Sequence, residues 1–233
     1  MDRPALVSLT FDDGLRCQIE KAVPVLEQHG FSATFFLIGN SDPIHEQPPR
    51  RKIAWSEGDT QLLRSMIERG HEIGAHGLTH RWEERDNNPK GEAEGSKDWI
   101  EVRLGVEVQS YCYPFCYITD SIRNAVIGAG YKQARWGPQG SYYSLQSQVD
   151  FFRVDSHQVS TSSDSPENVD GWIRPGCWYI LMFHGIGTWD DGWSPVSVEE
   201  FARQMAELAK HRDCGAVEVV TFKDGANRLR QTI

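Results

Sequence analysis

Short apolar, β-rich runs alternate along this chain with stretches whose apolar residues recur at helical spacing, which restricts it to α/β architectures in which crossover helices join parallel strands. The first run is Ala5 to Phe11, ALVSLTF, and the helical pattern through Ile19, Val23 and Leu26 that follows stops at Gly30. Phe31 to Ile38 is expected as the second strand, a polar, Pro-rich loop occupies Gly39 to about Arg51, and Gln61 to Arg69 forms a helix ended by Gly70. HEIGAH gives a short strand, and Arg81 to Lys97 reads as a polar loop leading into a helix around Asp98 to Leu104. Tyr111 to Phe115 is the next strand, and Thr119 or Asp120 caps a helix carrying Ile122, Val126 and Ile127, closed by Gly128 and Gly130. Residues 137 to 177, rich in Ser, Gly and Asp, read as short strands and surface loops. WYILMFH is a strand, Ser197 and Glu200 stand at capping-box spacing before the last helix with Phe201, Met205 and Leu208, and Ala216 to Phe222 is the final strand.

No repeat, low-complexity tract or linker divides the 233 residues, so a single domain over 1–233 is expected, large enough for one substantial core. A net charge of -9 repels phosphate backbones and anionic lipid, which excludes nucleic acid as a partner and favours a neutral or cationic substrate. No apolar run approaches the ~20 residues that span a bilayer, so no membrane insertion is expected. MDRPA runs straight into a strand, so the expected location is cytoplasmic as the chain stands, and secreted if a signal peptide has been removed. Five cysteines, Cys17, Cys112, Cys116, Cys177 and Cys214, leave at least one thiol free while one or two bridges stay open.

The chemistry concentrates where strands end. In Thr10-Phe11-Asp12-Asp13-Gly14 two adjacent carboxylates repel each other, an arrangement best tolerated when a cation neutralises one and leaves the other as a base. Taken alone the pair would more often cap the following helix. His76 and His80 are four residues apart, which places both imidazoles on one side of a helical turn, and a carboxylate completes a three-ligand site with an open position. His184 ends the run from Trp178 to Phe183. Four strand tips therefore carry Asp12/Asp13, His76/His80, Pro114/Phe115 and His184, the placement that active sites of α/β barrels require.

TFDDG at 10–14, GHEIGAHGLTH at 70–80, YPF at 113–115 and LMFHG at 181–185 resemble, in order, the motifs of NodB-type polysaccharide deacetylases, carbohydrate esterase family 4. The resemblance spans residues 6 to about 222 and implies a distorted (β/α)7 barrel. It implies that Asp12 is the general base, His184 the general acid, and Asp13, His76 and His80 the ligands of one divalent cation, zinc, or else cobalt or nickel. The backbone N–H of Phe115 would help to hold the oxyanion and Met182 would line the acetyl pocket. Acetyl groups would be hydrolysed from an N- or O-acetylated carbohydrate, with water activated at the metal.

The third motif departs from the pattern. Its usual arginine, two residues before the proline and paired with the base, is here Cys112. Arg153, in the FFRVD stretch, is the expected substitute cation, and Asp155 the expected partner that orients His184. Cys112 and Cys116 are read as small buried hydrophobes rather than ligands. Trp189 and Trp193, in the loop after His184, are placed to stack on sugar rings. Two other readings stay open: a hydrolase of small cyclic amides or imides, which resembles the same family, and a catalytically silent carbohydrate-binding protein.

Overall fold

The computed structural model describes residues 3–40, 52–138, 142–144, 148–160 and 173–232. Most of the loop expected from Gly39 to Arg51, and parts of the loops expected between 137 and 177, lie outside the described residues. Among the described residues nine strands form one sheet: β1 (Ala5–Phe11), β2 (Thr34–Leu37), β3 (Glu72–Ala75), β4 (Ser110–Cys112), β5 (Gln133–Arg135), β6 (Tyr143–Ser144), β7 (His157–Gln158), β8 (Cys177–Phe183) and β9 (Val217–Val219). The path β5-β4-β3-β2-β1-β8 is parallel throughout, and β6 is antiparallel to β8. Residues 151–159 span from one edge to the other: Val154 N–H bonds Ala134 O at 3.0 Å beside β5, and Val159 N–H bonds Met182 O at 2.9 Å beside β8. The sheet thereby curls into a distorted barrel. The distortion is local to β1, whose first half pairs with β9 at Ala5–Val7 and whose end pairs with β2 at Thr10 and Phe11.

Residues alternate between two apolar cores because successive side chains of a strand point to opposite faces. Val7, Leu9, Phe11, Phe35, Leu37, Ile73, Ala75, Tyr111, Ala134, Tyr179, Leu181 and Phe183 pack outward beneath the helices. Leu6, Phe36, Cys112, Trp178 and Ile180 pack inside the barrel with Phe222, Ala226 and Leu229. The same alternation sends Asp12, His76, Cys112, Arg135, Met182 and His184 inward.

The helices among the described residues are α1 (Val23–Gln28), entered through a π-helical turn at Gln18–Ala22, then α2 (Glu57–Glu68), α3 (Trp82–Asn87), α4 (Pro89–Leu104), α5 (Asp120–Gly128), α6 (Val198–Asp213) and α7 (Phe222–Arg230). Four of them differ from expectation. A capping box between Ser56 and Asp59 starts α2 at Glu57, ahead of its apolar positions. The stretch read as a loop up to Lys97 is largely α3 and α4, where Asn88 caps Gly91 N–H, Pro89 sits at the first helical position, and Ala93, Ser96, Ile100 and Leu104 form the buried stripe. Its glycines disguised it, and Gly95 has a packing reason: a Cβ there would meet Leu78 at 2.8 Å. The final strand ends at Val219, because Thr221 caps a helix that Phe222 opens and that stops the barrel floor. Strand β5 and Arg135 within it were not foreseen.

Below the site the interior also holds a polar cluster. Glu72 is buried and accepts hydrogen bonds from Thr34 Oγ1 at 2.7 Å, Lys223 N–H at 2.9 Å and Ser110 Oγ, which itself accepts from Gln133 Nε2 at 2.8 Å. Burial raises the Glu72 pKa, and these donors only partly offset it. A carboxyl whose folded pKa lies above its unfolded value of about 4.3 stabilises the fold most at pH below that value and loses the contribution as pH rises. Glu72→Gln, which cannot titrate, should therefore cost most stability near pH 4 and less by pH 8, as read by urea unfolding. A difference from the parent that is constant with pH would contradict this.

Candidate active site

Asp12 follows β1 and its N–H bonds Phe183 O at 3.0 Å, which ties the tips of β1 and β8 together. Gln18, fully buried, completes the clamp by donating from Nε2 to Asp12 O at 2.6 Å and to His184 O at 3.0 Å. Asp13 turns out of strand geometry with φ 74°, and Gly14 continues at φ 64°. Six non-glycine residues among those described have positive φ, and four of them, Asp13, His80, Phe115 and Cys116, line one cavity. Backbone strain of this kind persists where the surroundings impose it, and it clusters at functional sites.

That cavity, about 490 Å³, is lined by Asp12, Asp13, His76, His80, Phe115, Met182 and His184, with Trp82, Pro138 and Trp193 among the remaining walls. The Nε2 atoms of His76 and His80 each lie 3.6 Å from Asp13 Oδ1. His76 Nδ1 lies 3.0 Å from Cys112 O, and because a carbonyl only accepts, Nδ1 carries the proton and Nε2 keeps its lone pair. Burial opposes the Asp13 charge, but His80, His184, His76 and Lys52 hold its carboxyl down to about 2. His80 is pushed to about 3, chiefly by burial and then by His76. An ionised carboxylate beside a neutral imidazole is the protonation state a metal requires. Among the described residues two donor groups are close enough to take an ion: Asp13, His76 and His80, and the deeper set Asp12, His76 and Cys112. In the deeper set burial pushes the Cys112 thiol well above its ordinary value, against the pull of Arg135, which keeps it a thiol.

The loop that carries His80 is held by a residue that sequence reading missed. Glu92, buried on α4, accepts from Leu78 N–H at 2.9 Å, Thr79 N–H at 3.1 Å and Thr79 Oγ1 at 2.8 Å. Gly77, at φ 77°, lets the loop approach, since a Cβ there would meet Glu92 Oε2 at 3.0 Å.

The cation beside Asp12 is Arg135 and not Arg153. The Arg135 guanidinium is buried in the barrel and its Nη2 bonds Asp12 Oδ2. Arg153 is exposed, its guanidinium 4.6 Å from the centre of the Trp136 ring. The inward parity of β5 explains the difference: Arg135 shares its face with Cys112, whereas Arg153 follows a turn outside the barrel. Asp12 Oδ1 has no hydrogen-bond partner among the described residues. His184 places Nε2 3.7 Å from Asp12 Oδ2, and its ring meets Trp193 edge to face at 4.8 Å. Burial lowers the His184 pKa, with Asp12 and Asp13 pulling the other way. No hydrogen bond joins Asp155 to His184 Nδ1: Asp155 Oδ1 accepts from Ser156 N–H at 2.8 Å, and His184 Nδ1 is without a hydrogen-bond partner among the described residues. All five cysteines are free. Trp193 lines the cavity, whereas Trp189 stands exposed.

Comparison with known proteins identifies the family and its fold. The family described as polysaccharide deacetylase matches residues 2–134, more than half of the chain, and the protein belongs to that family. A peptidoglycan-N-acetylglucosamine deacetylase of Bacillus cereus is 26% identical over 138 residues, 56% of this chain and 56% of its own length. A chitooligosaccharide deacetylase of Sinorhizobium fredii is 37% identical over 75 residues, 32% of this chain. The chain thus spans 56% and 28% of the length of these two relatives. In fold, it is similar to the Xyl-CE4 domain of a multidomain xylanase from the hindgut metagenome of Trinervitermes trinervoides, with TM-score 0.63, 18% identity, and 97% and 91% of the two chains covered.

Glu92→Ala should weaken zinc binding roughly 10- to 100-fold, the usual cost of losing a group that supports a ligand, while the far-ultraviolet circular dichroism spectrum is kept. Titration calorimetry showing unchanged affinity would refute that role.

Proposed function

We propose that this protein is a metal-dependent hydrolase that removes acetyl groups from an acetylated carbohydrate, with Asp12 as base and His184 as acid. The observation that carries the reading is the division of labour within one buried carboxyl group. Asp12 Oδ2 is bound to Arg135, while Oδ1, without a partner among the described residues, belongs to a residue that lines the cavity beside Asp13, His76 and His80. A carboxylate oxygen held ready in this way suits removal of a proton from water.

Asp13, His76 and His80 would hold the ion, since their donor atoms cluster and their protonation states suit it, whereas the alternative set would need Cys112 as thiolate and would take Asp12 from its arginine. A divalent cation there supplies positive charge that polarises an acetyl carbonyl and lowers the pKa of water from about 15.7 toward about 7. Asp12 Oδ1 accepts the proton of the attacking water. The Phe115 backbone amide, at the cavity edge, donates to the developing oxyanion, and Met182 packs against the acetyl methyl group. His184, whose pKa is lowered by burial, starts neutral; the proton taken up by the Asp12 carboxyl passes to its Nε2, which lies 3.7 Å from Oδ2 of that carboxyl, and the imidazolium so formed gives it to the leaving nitrogen or oxygen as the bond to the acetyl carbon breaks. Trp82, stacked on Phe115 at 4.0 Å, and Trp193 offer flat faces to sugar rings. The net charge of -9 suits a neutral or amine-bearing glycan. No helix among the described residues is long and apolar enough to cross a membrane.

With zinc supplied, the protein should release acetate from at least one of N-acetylglucosamine oligomers, peptidoglycan and acetylxylan, and should not open cyclic imides. His76→Ala or His80→Ala should lose both zinc and turnover, and Asp12→Asn should keep zinc while losing turnover by roughly 100-fold or more. Imide opening without acetate release would replace the substrate assignment. Zinc lost from Asp12→Asn but retained by His80→Ala would overturn the assignment of ligands and base.

A further inference from the structure

We infer that positions 112 and 135 are two interchangeable seats for the cation that orients the base, and that in this chain the arginine has moved from β4 to β5, leaving Cys112 behind as the small residue that makes room for it. Cys112 and Arg135 are register partners on neighbouring parallel strands, so their side chains leave the sheet on the same face, into the barrel. Both are buried, at 1% and 0% exposure. Arg135 Nη2 reaches across the thiol, contacting Cys112 Sγ at 2.7 Å, to bind Asp12 Oδ2, while Cys112 Sγ lies 3.6 Å from that same oxygen. The two side chains therefore converge on one carboxylate oxygen from adjacent strands. An arginine at 112 would overfill a space that Arg135 already occupies, and a small residue at 135 would leave Asp12 without a permanently charged partner in the barrel wall.

Arg135 has a second attachment. Its Nη1 donates to Ser156 Oγ at 2.9 Å, and that hydroxyl lies 3.9 Å from Met182 Sδ and donates to Trp136 O at 3.1 Å. One guanidinium thus braces both the base and the cavity wall at Met182. Such a rigid planar fork has no equivalent in lysine. Arg135 is not among the residues that line the cavity and acts through Asp12, so it is a positioning residue.

The inference rests on Asp12 acting as the base of a deacetylase, so the wild-type protein is assayed first on the same acetylated glycans with zinc. If it releases no acetate, the functional reading fails and the inference fails with it. If it does, Arg135→Met and Arg135→Lys should lower kcat roughly 10- to 1,000-fold, in the range seen for supporting groups and transition-state donors, while KM changes less than about threefold and one zinc per chain is kept by elemental analysis. The exchange variant Cys112→Arg/Arg135→Cys should fold, bind zinc, and recover kcat to within about tenfold of wild type. A kcat for Arg135→Met within twofold of wild type overturns the positioning role, as does a loss of rate that only parallels loss of zinc. Should Arg135→Met not fold, the exchange variant decides: active, it supports the two-seat arrangement; inactive, whether unfolded or zinc-loaded and inert, it refutes it.

Discussion

A carboxylate cannot stay ionised inside a barrel without a counter-charge, and everything else in this site is arranged around how Asp12 obtains one. Burial works against the Arg135 charge as well, but Asp12 offsets it and keeps the guanidinium protonated. Breaking such a pair by removing one member typically costs about 3–5 kcal/mol, because the survivor is left buried and uncompensated. The pair therefore constrains its neighbours: β5 must be parallel to β4 and in a register that brings Arg135 beside Cys112, and Cys112 must stay small and uncharged. With Oδ2 committed to that contact, Oδ1 is left without a hydrogen-bond partner among the described residues.

One parity rule places the rest. On β1 the inward set is Leu6, Ser8, Thr10 and then Asp12; on β8 it is Trp178, Ile180, Met182 and then His184. Lower in the barrel the inward positions are filled by side chains that satisfy one another, as Thr34, Ser110 and Lys223 N–H do for Glu72. At the tips this satisfaction stops. Asp12 Oδ1 and His184 Nδ1 lack hydrogen-bond partners among the described residues, and Asp13, His80, Phe115 and Cys116 are held at positive φ. Unsatisfied polar atoms and strain in one place are the departures from good folding that a working site tolerates.

Much of this was legible in the sequence because motif residues sit at strand ends, where apolar runs break off in Asp, His or Pro. Asp12, Asp13, His76, His80, Phe115 and His184 were named from those breaks and Met182 from the family resemblance, and the structure brings all seven to one cavity. Arg135 was not, since it ends a three-residue strand with no apolar run to announce it, and only the β4–β5 register shows that it faces Asp12. Arg153 drew attention by its place in the sequence, which carries no information about facing. Glu92 and Gln18 were hidden for a similar reason: each acts on a segment distant in the chain or through backbone carbonyls, contacts that leave no spacing signal. The α3–α4 stretch was misread because glycines and charges masked a buried stripe that Leu78 needs for packing.

The central claim is that the ion belongs to Asp13, His76 and His80, so that Asp12 remains with Arg135. X-ray absorption spectroscopy of the zinc-loaded protein tests it directly, because the two candidate donor sets differ in one element. The account predicts a shell of nitrogen and oxygen scatterers at about 2.0–2.2 Å, with outer-shell features of two imidazoles and no sulfur. A sulfur scatterer at about 2.3 Å, with a single imidazole, would place the metal on Asp12, His76 and Cys112 and contradict the account.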